Sequence, residues 1–330
     1  MKTVSFTVIL SVLFVSTVIA SLFSLSIGSV NIPLGKIVEL VSHPESNSVF
    51  SQIIFDIRLP RVLLAIAVGG GLSVAGAVFQ ALLMNPLAEP YILGISSGGT
   101  FGAVLSFLIG ASFLTTQVFA FSGSIVVVFL VFILGKRYGE IEPNVLLLTG
   151  IMIGAFFSAA ILFMLTMLND SLRQAIFWLM GNLSLATPES VQYVLPVTIV
   201  ISFLLSLNGQ KYNVLSLGTD SAKHLGVNTR LLTNYTYIIA SIMVGAIVSV
   251  SGIVGFVGLL VPHICRMIFG IDNRIVVPAS FFLGATYLII SDTIARNLIA
   301  PAELPVGTIT ALIGAPLFIY LLKKRFSAIS

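Results

Sequence analysis

Ten apolar runs occupy most of this chain, near residues 5–27, 60–83, 92–110, 113–135, 144–168, 190–207, 231–251, 252–270, 275–296 and 305–322. A backbone in lipid has no water to satisfy its N–H and C=O groups, so runs of about 20 apolar residues are restricted to helices that bond within themselves. Composition agrees: 57% of the residues are hydrophobic and 8% are charged, against about 25% charged in soluble domains. The fold class is therefore all-α and polytopic, with about ten transmembrane helices. A length of 330 residues would indicate two soluble domains, yet no stretch between runs is long enough to fold alone. Residues 1–330 thus read as one transmembrane domain, with a first half of about 1–170, a second half of about 190–330 and a polar loop at 208–230.

The seventh and eighth runs are divided only by Gly252, Gly255, Gly258 and Pro262, so nine spans are an alternative. Charge orients the chain, because Lys and Arg are retained on the cytoplasmic side. With the N-terminus inside, Lys2, Lys136, Arg137, Lys211, Lys223, Arg230, Arg266, Arg274, Lys323, Lys324 and Arg325 are cytoplasmic. Lys36, Arg58, Arg61, Arg173 and Arg296 are then outside. Eleven against five of the 16 cations favours an even span count with both termini cytoplasmic. The run from Ser5 to Ile27 exceeds the 7–15 residues of a secretory h-region and lacks a small-x-small cleavage site, so it reads as a retained first span.

Residues 28–57 and 169–189 are expected outside and 208–230 inside. Pro33 to Val41 reads as a short amphipathic helix, and Ile176 to Leu183 is apolar enough to dip into the membrane. Ser73, Val74, Gly76, Val78, Leu83, Pro86 and Gly94 recur 176 residues later as Ser249, Val250, Gly252, Val254, Leu259, Pro262 and Gly270. Paired Gly/Pro-interrupted segments are a mark of repeated transporter halves. Gly94, Gly98 and Gly102 share one helix face, as do Gly150 and Gly154. Small faces let helices approach closely in lipid, and tight packing within one subunit is favoured here over a pathway lining.

Arg58 and Arg61 open the second span and Arg296 closes the ninth at the same membrane face. Snorkelling to headgroups, with Asp292 pairing Arg296 along the helix, is one account. Three outward guanidiniums form a docking surface for carboxylates on the other. Inside, Leu215 to Arg230 reads as two short helical pieces hinged near Gly226, with Asp220 as an N-cap and Gly226 as a terminator. Such a pair can seat in a partner's groove or act as a connector. Gly35-Lys36 lacks the glycine of a phosphate-binding loop. Only Asp292 lies within an apolar run, so no chain of acids forms an ion relay. Cys265 is the single cysteine and is no disulfide partner; with His263 it reads as an ordinary helix residue rather than a metal ligand, and no metal site is expected.

Arg58-Leu-Pro-Arg61, Asn85-Pro-Leu-Ala-Glu-Pro90, Gly94 to Gly98, Leu217-Gly218 to Arg230, Gly255 to His263, Asp292 to Arg296, Glu303-Leu-Pro-Val-Gly307 and Gly314-Ala-Pro316 occur in this order. Over nearly its full length the chain resembles the permease subunits of ABC importers for iron(III)-siderophores, haem and cobalamin. That resemblance implies ten spans per subunit, a dimer with a second permease copy, identical or paralogous, and two ATP-binding subunits that hold ATP and Mg. It also implies an extracytoplasmic substrate-binding protein, a prokaryotic cytoplasmic (inner) membrane location, no cofactor in this chain and no nucleic-acid partner. Arg58, Arg61 and Arg296 are similar to the family's contacts to acids on the binding protein. Leu217, Gly218, Asp220, Ala222, Leu225, Gly226 and Arg230 are similar to the helices that couple to the ATPase. Asn85, Leu87 and Asn144 fall where the family has its cytoplasmic gate, although the family's small hydroxyl residues near Pro143-Asn144 are not reproduced.

The expectation is alternating access for an iron(III)-siderophore chelate, or for cobalamin or haem on the same machinery, with the chain itself not an enzyme. An ion-coupled secondary transporter would need an intramembrane carboxylate pair, and a membrane-embedded enzyme a motif such as His-Glu-x-x-His. Neither is found in the sequence.

Overall fold

The computed structural model describes residues 6–42, 48–137, 140–168 and 171–327, with side chains, that of Arg137 excepted, as far as Leu321 and at Lys323. Lys2, Lys324 and Arg325, which help to orient the chain, therefore lie outside the described residues or side chains. In chain order α1 (Phe6–Ser26) leads to α2 (Leu34–Ser42), the amphipathic helix expected after Pro33, which buries Ile37 and Leu40. The single turn α3 (Val49–Gln52) continues through a π-turn at Ile53–Arg58 into α4 (Leu59–Leu82), giving an apolar helical run of 34 residues. Pro60 accounts for the widened turn. Its ring lacks an N–H and crowds the carbonyl four residues back, and a π-turn relieves both conflicts. Leu59 accordingly bonds the Ile54 carbonyl, five residues back.

A 3-10 turn at Pro90–Leu93 precedes α5 (Ile95–Leu108) and α6 (Phe113–Leu134). The two-residue strands β1 (Lys136–Arg137) and β2 (Glu140–Ile141) pair antiparallel before α7 (Pro143–Leu165). Then come α8 (Leu172–Leu179), α9 (Pro188–Ser206), α10 (Gly209–Leu215), α11 (Thr219–His224), α12 (Thr229–Ser251), α13 (Val257–Phe269), α14 (Asn273–Asn297) and α15 (Val306–Ser327). Among the described residues seven helical runs are long and apolar enough to cross a membrane, and three shorter apolar helices, α5, α13 and the first part of α15, fill the remaining predicted runs.

α4 is the central pillar, buried over nearly its whole length. Its Gly- and Ala-rich sequence makes this possible, because small residues let helix backbones touch where lipid provides no hydrophobic drive for association. A methyl group on Gly69 would collide with the Gly284 carbonyl of α14, and one on Gly76 with the Gly258 carbonyl of α13. Gly71 faces Ile247 of α12 and Thr198 of α9 in the same way. The glycines of α5 pack inside the subunit as expected: Gly98 and Gly102 abut α6 at Gly123 and Phe119, and Gly94 abuts Gly150 of α7. The outer helices turn large apolar side chains outward, among them Phe129 on α6 and Phe156, Leu162 and Phe163 on α7. That is the inverse of a soluble surface and the pattern of a bundle solvated by lipid.

The echo at 176 residues is matched unevenly in structure: Gly94 and Gly270 both end a helical segment at positive φ, but other pairs differ. Gly76 lies inside α4, whereas Gly252 caps α12 at φ +65°; Pro86 lies in a turn, whereas Pro262 lies inside α13. α8 covers part of the apolar run at 176–183, and the turn after it is tied to the bundle, where Asn182 N–H bonds the Ser251 carbonyl at the end of α12 and Gly307 N–H bonds the Gly181 carbonyl.

Candidate functional site

The residues singled out in the sequence gather at three levels along α4 and α14. One end carries the arginines. Arg61, in the first turn of α4, lies across from Asp292, near the end of α14, because these two helices pack along each other. Its Nε donates to both Asp292 oxygens at 3.0 Å and its Nη2 to Oδ1 at 2.9 Å, while Nη1 donates to Glu303 Oε2 at 2.7 Å. Arg296 Nη2 donates to the carbonyl and hydroxyl of Ser24 on α1, and its Nε lies 3.3 Å from Asp292 Oδ2 without being aligned to donate. Arg58, at the end of the π-turn, donates to the Leu25 and Val30 carbonyls. Gly28 makes room for it, since a methyl group there would lie 2.5 Å from Arg58 Nη2. A cavity of about 200 Å³ opens among Arg58, Arg61, Arg296, Glu303, Val30 and Ile57.

This arrangement corrects the sequence picture of three outward guanidiniums. Arg58 and Arg61 are 5% exposed, Arg296 7% and Asp292 1%. Buried charges persist only when paired and hydrogen-bonded, and Asp292 draws Arg61 as its main partner rather than Arg296 along its own helix. The cluster still faces a cavity, and its charges do not cancel. Three guanidiniums meet two carboxylates.

At the second level two helix breaks are tied together. α4 ends with Met84 in the left-handed region at φ +48°, where Asn85 N–H reaches the Gln80 carbonyl and Met84 N–H the Ala81 carbonyl. That is a Schellman stop, and methionine here holds a conformation that glycine normally takes. Asn85 Oδ1 then accepts the Leu87 N–H and tightens the turn. The other break joins α12 to α13 and places Phe256 at φ +67°. Glu89 accepts the Phe256 N–H at 2.9 Å, and Tyr91 Oη accepts the Val254 N–H at 3.2 Å. Burial pushes the Glu89 carboxyl above the usual carboxylate range, partly offset by that backbone bond. Of the expected gate residues, Asn85 and Leu87 share this turn, while Asn144 is exposed in the first turn of α7. α7 meets the turn elsewhere, where Gly150 packs on Ile92 and Leu93.

The third level is the loop at the opposite end of α14. Its two short helices are α10 and α11, and the chain breaks twice, at Gly218 with φ +105° between them and, where the hinge was expected, at Gly226 between α11 and α12. Gly226, at φ +82°, terminates α11 as expected, with Val227 N–H bonding the Ala222 carbonyl. Asp220 is not the cap. It lies in the first turn of α11, which is preceded by Gly218, and favours the helix through its dipole. Ala222 is buried and seats α11, whereas Leu217 and Leu225 are 66% and 63% exposed and Asp220 and Arg230 are exposed beside them. α10 is fastened to α14 by Asn213, which donates to Asp272 Oδ1 at 2.7 Å and accepts the Asn273 N–H at 2.8 Å. Arg274, donating to the Asp272 carboxylate, holds it down at about 2, helped by Asn213 against some desolvation. A cavity of about 670 Å³ lies between this loop, Met84 and Arg266. His263 packs edge-on against Phe318 and Cys265 is buried; among the described residues no group of three or more His, Cys, Asp or Glu is placed to hold a metal ion.

The sequence profile of the FecCD transport family matches residues 16–324. The chain belongs to the FecCD transport family. Two FecCD-like relatives are the hemin transport system permease protein HmuU of Yersinia pestis, 38% identical over 91% of this chain and 92% of that one, and the cobalamin import system permease protein BtuC of Halobacterium salinarum, 38% identical over 83% and 74%. Relatives at 35% identity are named for iron(3+)-hydroxamate, Fe(3+)-citrate and molybdate. Among solved structures, an inward-facing ABC transporter classed as metal-chelate type superposes with a TM-score of 0.86 at 33% identity, covering 96% of this chain and 99% of that one. This FecCD chain is an ABC importer permease and a multi-pass membrane protein. The roles of Glu303, Glu89, Tyr91 and Asn213 were not assigned from sequence, although Glu303 and Glu89 lie in its motifs, and Asp292 was assigned there to Arg296 rather than to Arg61. Their partners are far away in the chain, 231 residues in the case of Arg61 and Asp292.

Proposed function

We propose that this chain is the membrane-spanning subunit through which an ABC importer moves an iron(III)-siderophore chelate across the cytoplasmic membrane. Two copies, or this chain and a paralogue, would enclose the path. An extracytoplasmic binding protein would deliver the chelate, and two ATP-binding subunits would hold ATP and Mg, so this chain itself is no enzyme. The observation that carries the reading is the pairing of two sites on one rod, a cation-rich cavity at one end of α14 and a structured loop with exposed leucines fastened to the other. Exposed apolar side chains on such a loop favour a protein partner. Arg58, Arg61 and Arg296 serve the binding protein, Leu217, Gly218, Asp220, Ala222, Leu225, Gly226 and Arg230 serve the ATPase, and Asn85, Leu87 and Asn144 lie at the inner gate.

The choice of an iron chelate is supported by relatives named for hemin, Fe(3+)-citrate and iron(3+)-hydroxamate, and cobalamin or haem on the same machinery is the second reading. The chain lacks a ligand cluster that would hold a bare metal among its described residues, as suits a cargo that arrives already chelated. A secondary transporter is disfavoured because Asp292, the acid within a span, is committed to Arg61 and Arg296. The substrate is tested by uptake into proteoliposomes holding the permease, its ATPase and its binding protein, with ferric hydroxamate, hemin and cobalamin supplied in turn. Accumulation of the ferric hydroxamate alone is expected; accumulation of cobalamin or hemin instead would replace the substrate and retain the machinery.

A further inference from the structure

Glu303-Leu-Pro-Val-Gly307 has no part in the function above, yet its carboxylate sits on one of the docking arginines. Glu303 lies in the non-helical stretch between α14 and α15. Arg61 divides its guanidinium between two carboxylates of different kinds. The edge formed by Nε and Nη2 is closed by Asp292, which is fully buried, whereas Nη1 points to the cavity and is capped by Glu303, whose side chain is 41% exposed.

We infer that Glu303 is a resident stand-in for a partner's carboxylate, so that docking at this cavity proceeds by exchange. A glutamate or aspartate of the extracytoplasmic protein takes Arg61 Nη1 while Glu303 turns out to water. The inference rests on the reading of Arg58, Arg61 and Arg296 as the docking site.

Three observations carry it. The first is charge. Arg58 is met only by neutral carbonyls and Arg296 Nε donates to no acceptor, so three guanidiniums share two carboxylates and the cavity has room for another anion. The second is exposure. Asp292 cannot leave without abandoning two buried cations, whereas Glu303 is already wetted and regains water when it swings away. The third is reversibility. Exchange of one carboxylate for another keeps Arg61 paired at both ends of the step, so docking neither strands a buried charge nor adds a full new ion pair. A delivery protein that must depart in every cycle needs that balance.

The test uses the permease with its ATPase in lipid nanodiscs and measures the affinity of its binding protein. Glu303→Gln keeps the shape and removes the competing charge, and it should tighten binding about tenfold, the equivalent of one charge-assisted hydrogen bond. Glu303→Asp, which keeps the charge on a shorter arm, should tighten it less and in the same direction; it carries the test if the glutamine variant fails to fold. Unchanged or weaker binding by the folded Glu303 variants, with binding lost in a folded Arg58→Gln variant, would overturn the exchange and leave the docking site standing. Binding unaffected by Glu303 and Arg58 variants alike would overturn both. Tightening that appears only in nanodiscs of anionic lipid, or that inorganic phosphate reproduces, would assign the site to a phosphate and overturn a protein carboxylate as its occupant.

Discussion

Asp292 is the residue on which the arginine-bearing end of the molecule depends. It has water on almost none of its surface and lies against two guanidiniums that are themselves buried. Replacing it by asparagine keeps the volume and leaves Arg61 and Arg296 without their shared counter-charge. Removing one member of a buried ion pair costs about 3–5 kcal/mol, so Asp292→Asn should lower the unfolding midpoint of the purified permease steeply. An unchanged midpoint would contradict the pairing. The same burial means that reversing the charge of all three arginines is a folding lesion, whatever docks beside them. Glu303, at the wet edge of the cluster, is the cleaner probe. The arginines were visible in the sequence as a group at one membrane face, but their burial was not, since the helix register shows Asp292 four residues from Arg296 and is silent on Arg61 across the bundle.

At the scale of elements, α14 joins the two ends. Its N-terminus is capped by Asp272 and stapled to α10 through Asn213, and its C-terminal turn carries Asp292 and Arg296. A helix of 25 residues spans about 37 Å, and α4 lies along it with glycine-to-glycine contact. Asn213→Ala deletes three hydrogen bonds between α10 and the start of α14, worth about 1 kcal/mol each. ATP hydrolysis by the assembled complex should persist in this variant while chelate uptake per ATP falls. Uptake that tracks hydrolysis as in the parent protein would show that α10 needs no such fastening. The apolar runs were legible because lipid forces each to be a helix, and every predicted run contains one. Their ends were less so. The π-turn before Pro60, the shortness of α5 and α13, and the break at Gly218 depend on what the neighbouring helices allow. The echo between halves is uneven for a related reason. Recurrent Gly and Val at matching spacing serve close packing in one place and a helix stop in the other.

The whole molecule is a glycine-lined pillar, α4, wrapped by helices that turn apolar side chains outward, with a charged cavity at one end, two tied helix breaks within and a leucine-bearing loop at the other end. Among the described residues Asp292, the acid within a span, is paired with Arg61 and lies against Arg296, whereas an ion-coupled carrier needs an intramembrane acid that its ion can reach. Transport on the proposed reading is driven by a partner through the loop of α10 and α11. The decisive experiment follows radiolabelled iron(III) chelate into proteoliposomes that contain the permease, its ATPase and its binding protein, with and without ATP and with and without a proton or sodium gradient. Accumulation that requires ATP and the binding protein and ignores the gradient is the predicted result. Accumulation that follows the gradient in the absence of ATP would contradict it.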